Sequence, residues 1–388
     1  MITRRAFGWT SLSLAVAASG SARAATRAPK LKEETGRASF GVADPEATTV
    51  SGIANARFMA DMPEAFAAAL DGDAIVGQAP WLAVSSGGEN GAFGAGLLTG
   101  WSAAGTRPAF GVVTGISTGA LTAPFVFAGP RWDARLRGAY TEVTAADVFE
   151  FGATKESLLD TWPLERLIDR EVTAELLADI AAEHRRGRRL FVITTNIDTG
   201  RPVAWNMGAI AASGAASAEA LFQKVLLASS SIPGLFPPVY IDVETNGRRF
   251  REMHVDGGVT TPFFVAPESV IATGTRLPAR QVYVIVNNQL APDFAVTPSM
   301  TLGVLGRSLT AAVKAGTRLA IRAHEDFARR AEIDLRIATM PDAFQATASG
   351  PFDGRYMKAL FAYAADLGAR GDAFGPQPRH VASRDRTP

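Results

Sequence analysis

The chain contains no cysteine. This absence excludes disulfides, thiolate chemistry, cysteine-ligated zinc and a lipid anchor on an N-terminal cysteine. Histidine is also scarce, with four residues at positions 184, 254, 324 and 380. His324 lacks the second histidine that a zinc-binding helix requires, so the sequence gives no reason to expect a metal there.

An excess of charge of one sign is missing as well. The chain has 39 Lys and Arg against 38 Asp and Glu, a formal net charge of +1. A nucleic-acid-binding protein would show a strong basic excess, so we expect no nucleic-acid partner. No stretch reaches about 18 uninterrupted apolar residues, the length that a membrane-spanning helix needs. With 388 residues, of which 47% are hydrophobic, the chain can bury the core of one large domain or of two smaller ones.

The first 24 residues predict an export signal. Arg4-Arg5-Ala6-Phe7 precedes a moderately apolar run at residues 8–18, and Ala22-Arg23-Ala24 has the small-x-small form of a cleavage site. The paired arginines followed by phenylalanine resemble a twin-arginine signal. We therefore expect a periplasmic or secreted protein after cleavage. The alternative is a protein that an uncleaved signal retains at the membrane.

Apolar strand patterns alternate with helical patterns over residues 76–373, which predicts a single α/β domain. Such alternation is typical of a mainly parallel sheet covered by helices on both faces. Residues 25–75 are predicted to be an N-terminal lead-in, and residues 374–388, rich in proline and charge, a flexible tail. The predicted strands are 81–85, 109–113, 190–195, 250–255, 281–286 and 335–338, and the predicted helices are 63–70, 92–98, 120–128, 155–168, 172–184, 218–229, 302–331 and 354–367.

Gly115-Ile116-Ser117-Thr118-Gly119 is the first candidate catalytic motif. It has the form G-x-S-x-G and lies between an apolar strand pattern and an apolar helix pattern, the context in which this motif holds a nucleophilic serine. Gly115 and Gly119 lack the Cβ atoms that would clash in a sharp strand-to-helix turn. The helix that follows points its N–H groups and the positive end of its dipole at the serine. A plain turn of small residues is the alternative.

The run Ser86-Gly87-Gly88-Glu89-Asn90-Gly91 is a candidate oxyanion hole. It follows the predicted strand at 81–85, and adjacent glycines after a strand can present several backbone N–H groups toward one point. A tight strand-to-helix connection and a phosphate-binding loop are the alternatives. The phosphate loop is disfavoured, because the run matches neither G-x-x-x-x-G-K-[ST] nor G-x-G-x-x-G.

Asp256-Gly257-Gly258 supplies a candidate base. The predicted strand at 250–255 ends there, which puts the Asp256 carboxylate at the edge of the sheet where open α/β folds bind ligands. A carboxylate with the ordinary pKa of about 3.9 is a weak base for serine, and apolar surroundings raise its affinity for a proton. An Asp-Gly turn without a catalytic role is the alternative.

The histidines allow another arrangement. His254 alternates with Asp256 on the predicted strand, as a strand residue with satisfied hydrogen bonds or as a third catalytic member. Ser117, Asp256 and His324 also follow each other in the chain order of an α/β-hydrolase triad. An esterase with that triad is therefore a second hypothesis.

Taken together, these residues resemble the patatin-like phospholipases. Members of that family carry a glycine-rich oxyanion loop, a G-x-S-x-G nucleophile turn and a D-G-[GA] strand end, in the order in which this chain has its three motifs. The segment from Ala228 to Pro238 is similar to the family's A-S-x-x-x-P…F-P-P segment, and Pro262 to the proline that follows D-G-G. The resemblance covers about residues 81–286.

The resemblance implies a three-layer α/β/α fold and hydrolysis of lipid acyl esters, of the phospholipase A or esterase type. It implies a Ser117–Asp256 dyad that needs no calcium or other cofactor, a lipid or acyl-ester substrate, and peripheral contact with a membrane. The family loop usually reads G-G-G-x-[RK]-G. Here Ser86 replaces the first glycine but retains a backbone N–H, and Asn90 replaces the cation. These two changes leave open a lipid-binding protein of the same fold without turnover.

Overall fold

The computed structural model describes residues 45–374 except 71–73, 153–155, 292–295 and 298. The predicted export signal at 1–24, residues 25–44 of the lead-in and all but the first residue of the tail lie outside the described residues. The strands are β1 (Arg57–Met59), β2 (Trp81–Val84), β3 (Val112–Ile116), β4 (Glu150–Phe151), β5 (Leu159–Asp160), β6 (Arg189–Asn196), β7 (Arg201–Asn206), β8 (Val239–Thr245), β9 (Arg248–Asp256), β10 (Gln281–Val286) and β11 (Asp334–Thr339). The α-helices are α1 (Pro63–Leu70), α2 (Ala74–Gln78), α3 (Gly91–Ala103), α4 (Thr118–Ala128), α5 (Asp133–Thr141), α6 (Trp162–Glu171), α7 (Ala174–Arg185), α8 (Met207–Ala212), α9 (Ala218–Ser229), α10 (Glu268–Thr273), α11 (Thr301–Ala331) and α12 (Gly354–Arg370).

Nine of these strands form one mixed sheet with the order β1-β7-β6-β3-β2-β10-β11, while β9 pairs with both β6 and β8. From β6 to β11 all neighbours are parallel. On the other side β7 and β1 run antiparallel to their neighbours, and so do β8 and β9. The parallel half is therefore the expected α/β core, and antiparallel hairpins extend it.

Alternate residues of the central strands face two separate parts of the core. Leu82 and Val84 of β2 pack with residues of α3, α4, α5, α6, α7, α9 and α12. Trp81 and Ala83 pack with residues of α1, α10 and α11 on the opposite face. Because the side chains of a strand alternate between faces, the apolar strands need helices on both sides. This confirms the three-layer α/β/α fold.

Several predicted elements differ from those observed. The helix predicted at 155–168 begins only at Trp162, because β4 and β5 form a short separate hairpin before it. The strand predicted at 109–113 is shifted to Val112–Ile116, where it pairs with both β2 and β6 and includes Gly115. β7 was not predicted, since its first residues, Arg201 and Pro202, hide the strand pattern. The short helix at Pro63–Leu70 and the strand at Gln281–Val286 are confirmed.

Glycines allow α3 and α12 to pack with their backbones in contact. Cβ atoms placed on Gly96 and Gly100 of α3 would lie 2.3 and 1.9 Å from backbone oxygens of α12. A Cβ on Gly368 of α12 would lie 2.2 Å from the Leu97 oxygen. The two helices therefore pack with no side chain between their backbones at these three positions. None of the helices in the described part of the chain combines the length and hydropathy that a bilayer-spanning helix requires.

Gly100→Ala is expected to destabilise the protein, because its methyl group would overlap the Ala365 oxygen. Overpacking of this kind costs about 1–3 kcal/mol or more in the free energy of unfolding. The midpoint of urea unfolding measures the loss. Gly316→Ala in α11 is the matched control, since no atom lies within 4 Å of its added Cβ. It should raise stability by up to about 1 kcal/mol through helix propensity. Equal effects of the two changes would contradict the close packing of α3 and α12.

Candidate active site

Two strands that pair with the same edge of β6 bring Ser117 and Asp256 together. β3 runs parallel to β6 and ends with Ile116 opposite Ile193. β9 runs antiparallel and ends with Asp256 opposite Thr194, the next residue of β6. β7 occupies the other edge of β6 over this stretch. The two strands thus approach from opposite directions, and their ends meet.

Ser117 lies in a strained turn between β3 and α4. Its backbone has φ 56° and ψ −124°, a left-handed conformation that a non-glycine residue adopts only under constraint. The flanking glycines are required here, because a Cβ on Gly115 would lie 2.4 Å from the Gly119 oxygen and a Cβ on Gly119 would lie 2.3 Å from the Val84 oxygen. The Ser117 N–H donates to Ser229 Oγ at 3.0 Å. The hydroxyl is thereby held at the first turn of α4.

Asp256 is buried, with 5% of its surface exposed, and it interacts with the serine. The Ser117 side chain lies close enough to the carboxylate to stabilise its ionised form, and the Gly258 N–H donates to Oδ1 at 2.7 Å. Burial raises the pKa of Asp256 to about 6, although both of these neighbours act to lower it. Gly257 fits tightly here, because a Cβ on it would lie 2.4 Å from the Ile193 oxygen. The result is a carboxylate that is more basic than usual and in contact with a serine.

The glycine-rich loop lies beside the serine turn. Gly88 begins a 3₁₀ turn that runs to Asn90, and Gly88 and Ser117 both line the pocket described below. The N–H groups of Gly88 and Glu89 have no carbonyl partner within that turn, because they open it. The N–H of Thr118 likewise has no carbonyl partner within α4, because Thr118 is the first residue of that helix. The site therefore has backbone donors from two elements.

The first and last residues of the loop, Ser86 and Gly91, have structural contacts. The Ser86 N–H donates to the Pro262 oxygen at 3.1 Å, so this N–H is not free to bind an oxyanion as the sequence predicted. Gly91 allows α3 to begin against the serine turn, because a Cβ there would lie 1.9 Å from Thr118 Oγ1. Ser86 and Gly91 thus fix the loop in place.

Asn287 supports the base of the loop and was not singled out from the sequence. It is fully buried at the end of β10, and its Nδ2 donates to the Ser85 oxygen at 2.9 Å. Its Oδ1 accepts from the Gly94 N–H at 3.0 Å. The available signal was a pair of asparagines, Asn287-Asn288, directly after a buried apolar strand.

The hydrogen bonds of His254 lead away from the serine. The Nδ1 atom lies 2.9 Å from Thr194 Oγ1, and Nε2 lies 3.0 Å from Glu252 Oε2. Glu252 is ionised and can only accept, so the histidine donates from Nε2 to Glu252, and Nδ1 of the neutral ring accepts the proton of the Thr194 hydroxyl. Thr194 Oγ1 also accepts from the Trp205 indole at 2.8 Å. Burial lowers the pKa of His254. Glu252 in turn pairs with Arg57.

The other histidines have contacts elsewhere. Nδ1 of His324 lies 2.7 Å from the Ala320 oxygen, and its ring packs against Phe263 at 4.8 Å between centroids. His184 lies near the end of α7, and His380 is outside the described residues. Among the described residues, the contacts of Ser117 and Asp256 include no histidine. The geometry favours the dyad over a triad.

An apolar pocket with a cavity volume of about 100 Å³ includes Ser117 in its lining. Its walls come mainly from α4, α5 and α6. The residues Leu121, Phe125, Leu164, Ile168, Leu226, Phe236 and Phe352 are among those that line it. The serine hydroxyl therefore faces a cavity suited to a hydrocarbon chain.

A match to one protein-family model covers all three motifs. Residues 82–267 match the family model described as patatin-like phospholipase. A comparison with curated proteins gave no match. Among solved structures, VipD from Legionella pneumophila is similar with a TM-score of 0.41 and 11% sequence identity, over 76% of this chain and 67% of that chain.

Asp256→Asn is expected to stabilise the protein at pH 8. The folded-state pKa of about 6 lies above the usual value of 3.8, so the unfolded chain ionises first as the pH rises, and stability is lost between about pH 4 and 6. Above pH 6 the cost of the buried charge is fully present, and removing the charge should return roughly 1–3 kcal/mol. Urea unfolding at pH 8 and at pH 4 measures this difference. A gain that does not shrink at pH 4 would contradict the burial of the charge.

Proposed function

We propose, from the premise that this chain contains a patatin-like phospholipase domain at residues 82–267, that it is a lipid acyl hydrolase with Ser117 as nucleophile and Asp256 as base. The observation that carries the proposal is the closeness of the Ser117 side chain to a buried carboxylate, in the lining of an apolar pocket. The substrate class is acyl esters of lipids, of the phospholipase A or esterase type.

The first half-reaction would form an acyl-enzyme. Ser117 Oγ attacks the ester carbonyl while Asp256 accepts the serine proton. The carbonyl oxygen becomes negative and is stabilised by the N–H groups of Gly88, Glu89 and Thr118, at the positive end of the α4 dipole. When the tetrahedral intermediate collapses, the alcohol leaves with the proton that Asp256 returns to it.

The second half-reaction would release the fatty acid. Water attacks the acyl carbonyl, and Asp256 takes a proton from that water. Collapse of the second intermediate breaks the bond to Ser117 Oγ, which recovers its proton from Asp256. A base with a pKa of about 6 suits both steps, because it is ionised at neutral pH and still binds a proton more readily than an exposed carboxylate.

A surface beside the pocket supports contact with lipid aggregates. Phe151 is 83% exposed and Trp162 is 43% exposed, in the β4–β5 hairpin and at the start of α6. The Phe151 ring packs against Phe149 at 5.7 Å, and Phe149 packs at 6.2 Å against the pocket-lining rings of Phe236 and Phe352. Exposed aromatic surface thus continues into the pocket, as a lipid-facing entrance requires.

Trp101 and Trp132 have a structural role, since they are 8% and 5% exposed. Export as a periplasmic or secreted protein, with residues 1–24 removed, remains part of the proposal. The domain boundaries at 25, 76 and 374 remain predictions in the same way.

Fluorophosphonate labelling tests the nucleophile. We expect stoichiometric labelling of Ser117, and we expect Ser117→Ala to lose p-nitrophenyl ester hydrolysis by at least about 10³-fold, as removal of a nucleophile does in serine hydrolases. His324→Ala should keep wild-type activity, whereas the triad hypothesis requires that activity collapse. Binding of lipid without labelling or turnover would instead support a non-catalytic lipid-binding protein.

Vesicle hydrolysis tests the lipid-facing surface. Phe151→Asp should lower hydrolysis of phosphatidylcholine vesicles by about tenfold, because it places a charge on the exposed apolar surface. Hydrolysis of a soluble p-nitrophenyl ester should not change. Leu319→Asp is the matched control, since Leu319 is 66% exposed on α11, a helix with no residue among those that line the pocket. Equal losses on both substrates, or equal losses in the two variants, would contradict this role of Phe151.

A further inference from the structure

The glycine-rich loop is bonded from a second side by the region around the start of α12. This region lies outside residues 82–267, which match the family model. The Tyr356 hydroxyl donates to Asn90 Oδ1 at 2.7 Å. The Phe352 N–H donates to a carboxylate oxygen of Glu89. Both of the polar side chains at the end of the 3₁₀ turn are therefore held by the C-terminal part of the chain.

The segment that holds them is itself well fixed. Asp353 caps α12, because its Oδ1 accepts from the Arg355 N–H at 2.9 Å, and its Oδ2 accepts from the Ser349 N–H at 3.0 Å. Phe352, with φ 52°, packs its ring against Phe149 at 6.2 Å and lines the pocket. The donors of Phe352 and Tyr356 thus have fixed positions.

Packing of the helices removes the remaining freedom between donor and loop. α3 begins at Gly91, immediately after the 3₁₀ turn, and α12 packs against it through Gly96, Gly100 and Gly368 with the backbones in contact. The start of α12 therefore cannot shift along α3 without breaking this contact. Because α12 is fixed against α3, its hydrogen bonds to the glycine-rich loop restrain the position of that loop.

The Asn90 side chain bonds to Tyr356 and has no role in capping α3. Asn90 precedes α3 as the N-cap residue, but its side chain makes no capping hydrogen bond to that helix. Its carboxamide is half-buried and accepts the Tyr356 proton. The position that carries a cation in the resembling family's loop pattern is here a hydrogen-bond acceptor. The hydrogen bond between Tyr356 and Asn90 does not cap the N-terminus of α3.

We propose that Tyr356 is a positioning residue of the reaction: through Asn90, and together with the Phe352–Glu89 hydrogen bond, it orients the Gly88 and Glu89 N–H groups toward the oxyanion. This inference rests on the proposed function of the loop. Donors aimed at developing charge lose most of their value when they are displaced, since the reaction must then reorganise them. The effect should fall on kcat and not on KM, because the pocket binds the acyl chain elsewhere.

The experiment uses the full chain and three variants: Tyr356→Phe, Asn90→Ala and the double variant. Hydrolysis of p-nitrophenyl butyrate gives kcat and KM, with active sites counted by fluorophosphonate titration. The rate of Ser117 phosphonylation is a second readout, because its transition state also places negative charge on an oxygen near these donors. Tyr363→Phe is the matched control, since Tyr363 lies two turns along α12 and packs against Phe344 at 5.3 Å.

We expect Tyr356→Phe and Asn90→Ala each to lower kcat and the phosphonylation rate by about 3- to 10-fold, the effect of one hydrogen bond, with KM within twofold. The double variant should lose no more than the larger single loss, because both changes remove the same contact. Tyr363→Phe should match the wild type, and the thermal midpoints of all four should remain close.

Three results would overturn the inference: an unchanged kcat in Tyr356→Phe, multiplied losses in the double variant, or an equal loss in Tyr363→Phe. Asn90→Ala keeps the test valid if Tyr356→Phe folds poorly, because Asn90 contributes no capping bond to a helix. If the wild-type protein shows neither labelling of Ser117 nor ester hydrolysis, the proposed function is overturned as well. An active wild type with an unaffected Tyr356→Phe would overturn the positioning role alone.

Discussion

The site depends on a single constraint, the end-to-end pairing of β3 and β9 with the same edge of β6. Ile116 is opposite Ile193 and Asp256 is opposite Thr194, so the two strand ends occupy adjacent positions of one hydrogen-bonded ladder. Because side chains alternate along a strand, a slip of β9 by one residue would turn the Asp256 side chain to the other face of the sheet. The contact between serine and aspartate is therefore a property of the sheet register and not of either loop.

The same constraint explains the unfavourable features that the fold tolerates at this point. Ser117 has a left-handed backbone, which costs of the order of 1–3 kcal/mol, and Asp256 has a buried carboxyl group with a raised pKa. Both lie between apolar strands with helices on each face, and Gly115, Gly119 and Gly257 allow the backbones to close around them. The surrounding core holds the two residues in conformations that neither would adopt alone.

The sequence predicted the parts of this site that local chemistry encodes. Turn residues beside an apolar run indicate the serine turn, the glycine loop and the Asp-Gly-Gly strand end. Apolar runs likewise predict most of the parallel strands. The β4–β5 hairpin was missed because two-residue strands leave no periodic pattern. Asn287 and Tyr356 were missed for another reason, since each acts on residues about 190 to 270 positions earlier in the chain. A single sequence carries no signal for such pairs.

The polar network next to Asp256 would allow the proposed base to act without a histidine. His254 precedes Asp256 by two residues on β9, yet it is held neutral between Thr194 and Glu252, and Arg57 balances the charge of Glu252. This network carries no net charge, and within the described part of the chain no cation affects the pKa of Asp256, which burial raises and the Ser117 side chain and the Gly258 N–H lower. A nearby cation would lower that pKa and weaken the base. The pairing of Glu252 on β9 with Arg57 on β1 therefore preserves the proton affinity that the proposed Ser117–Asp256 pair requires.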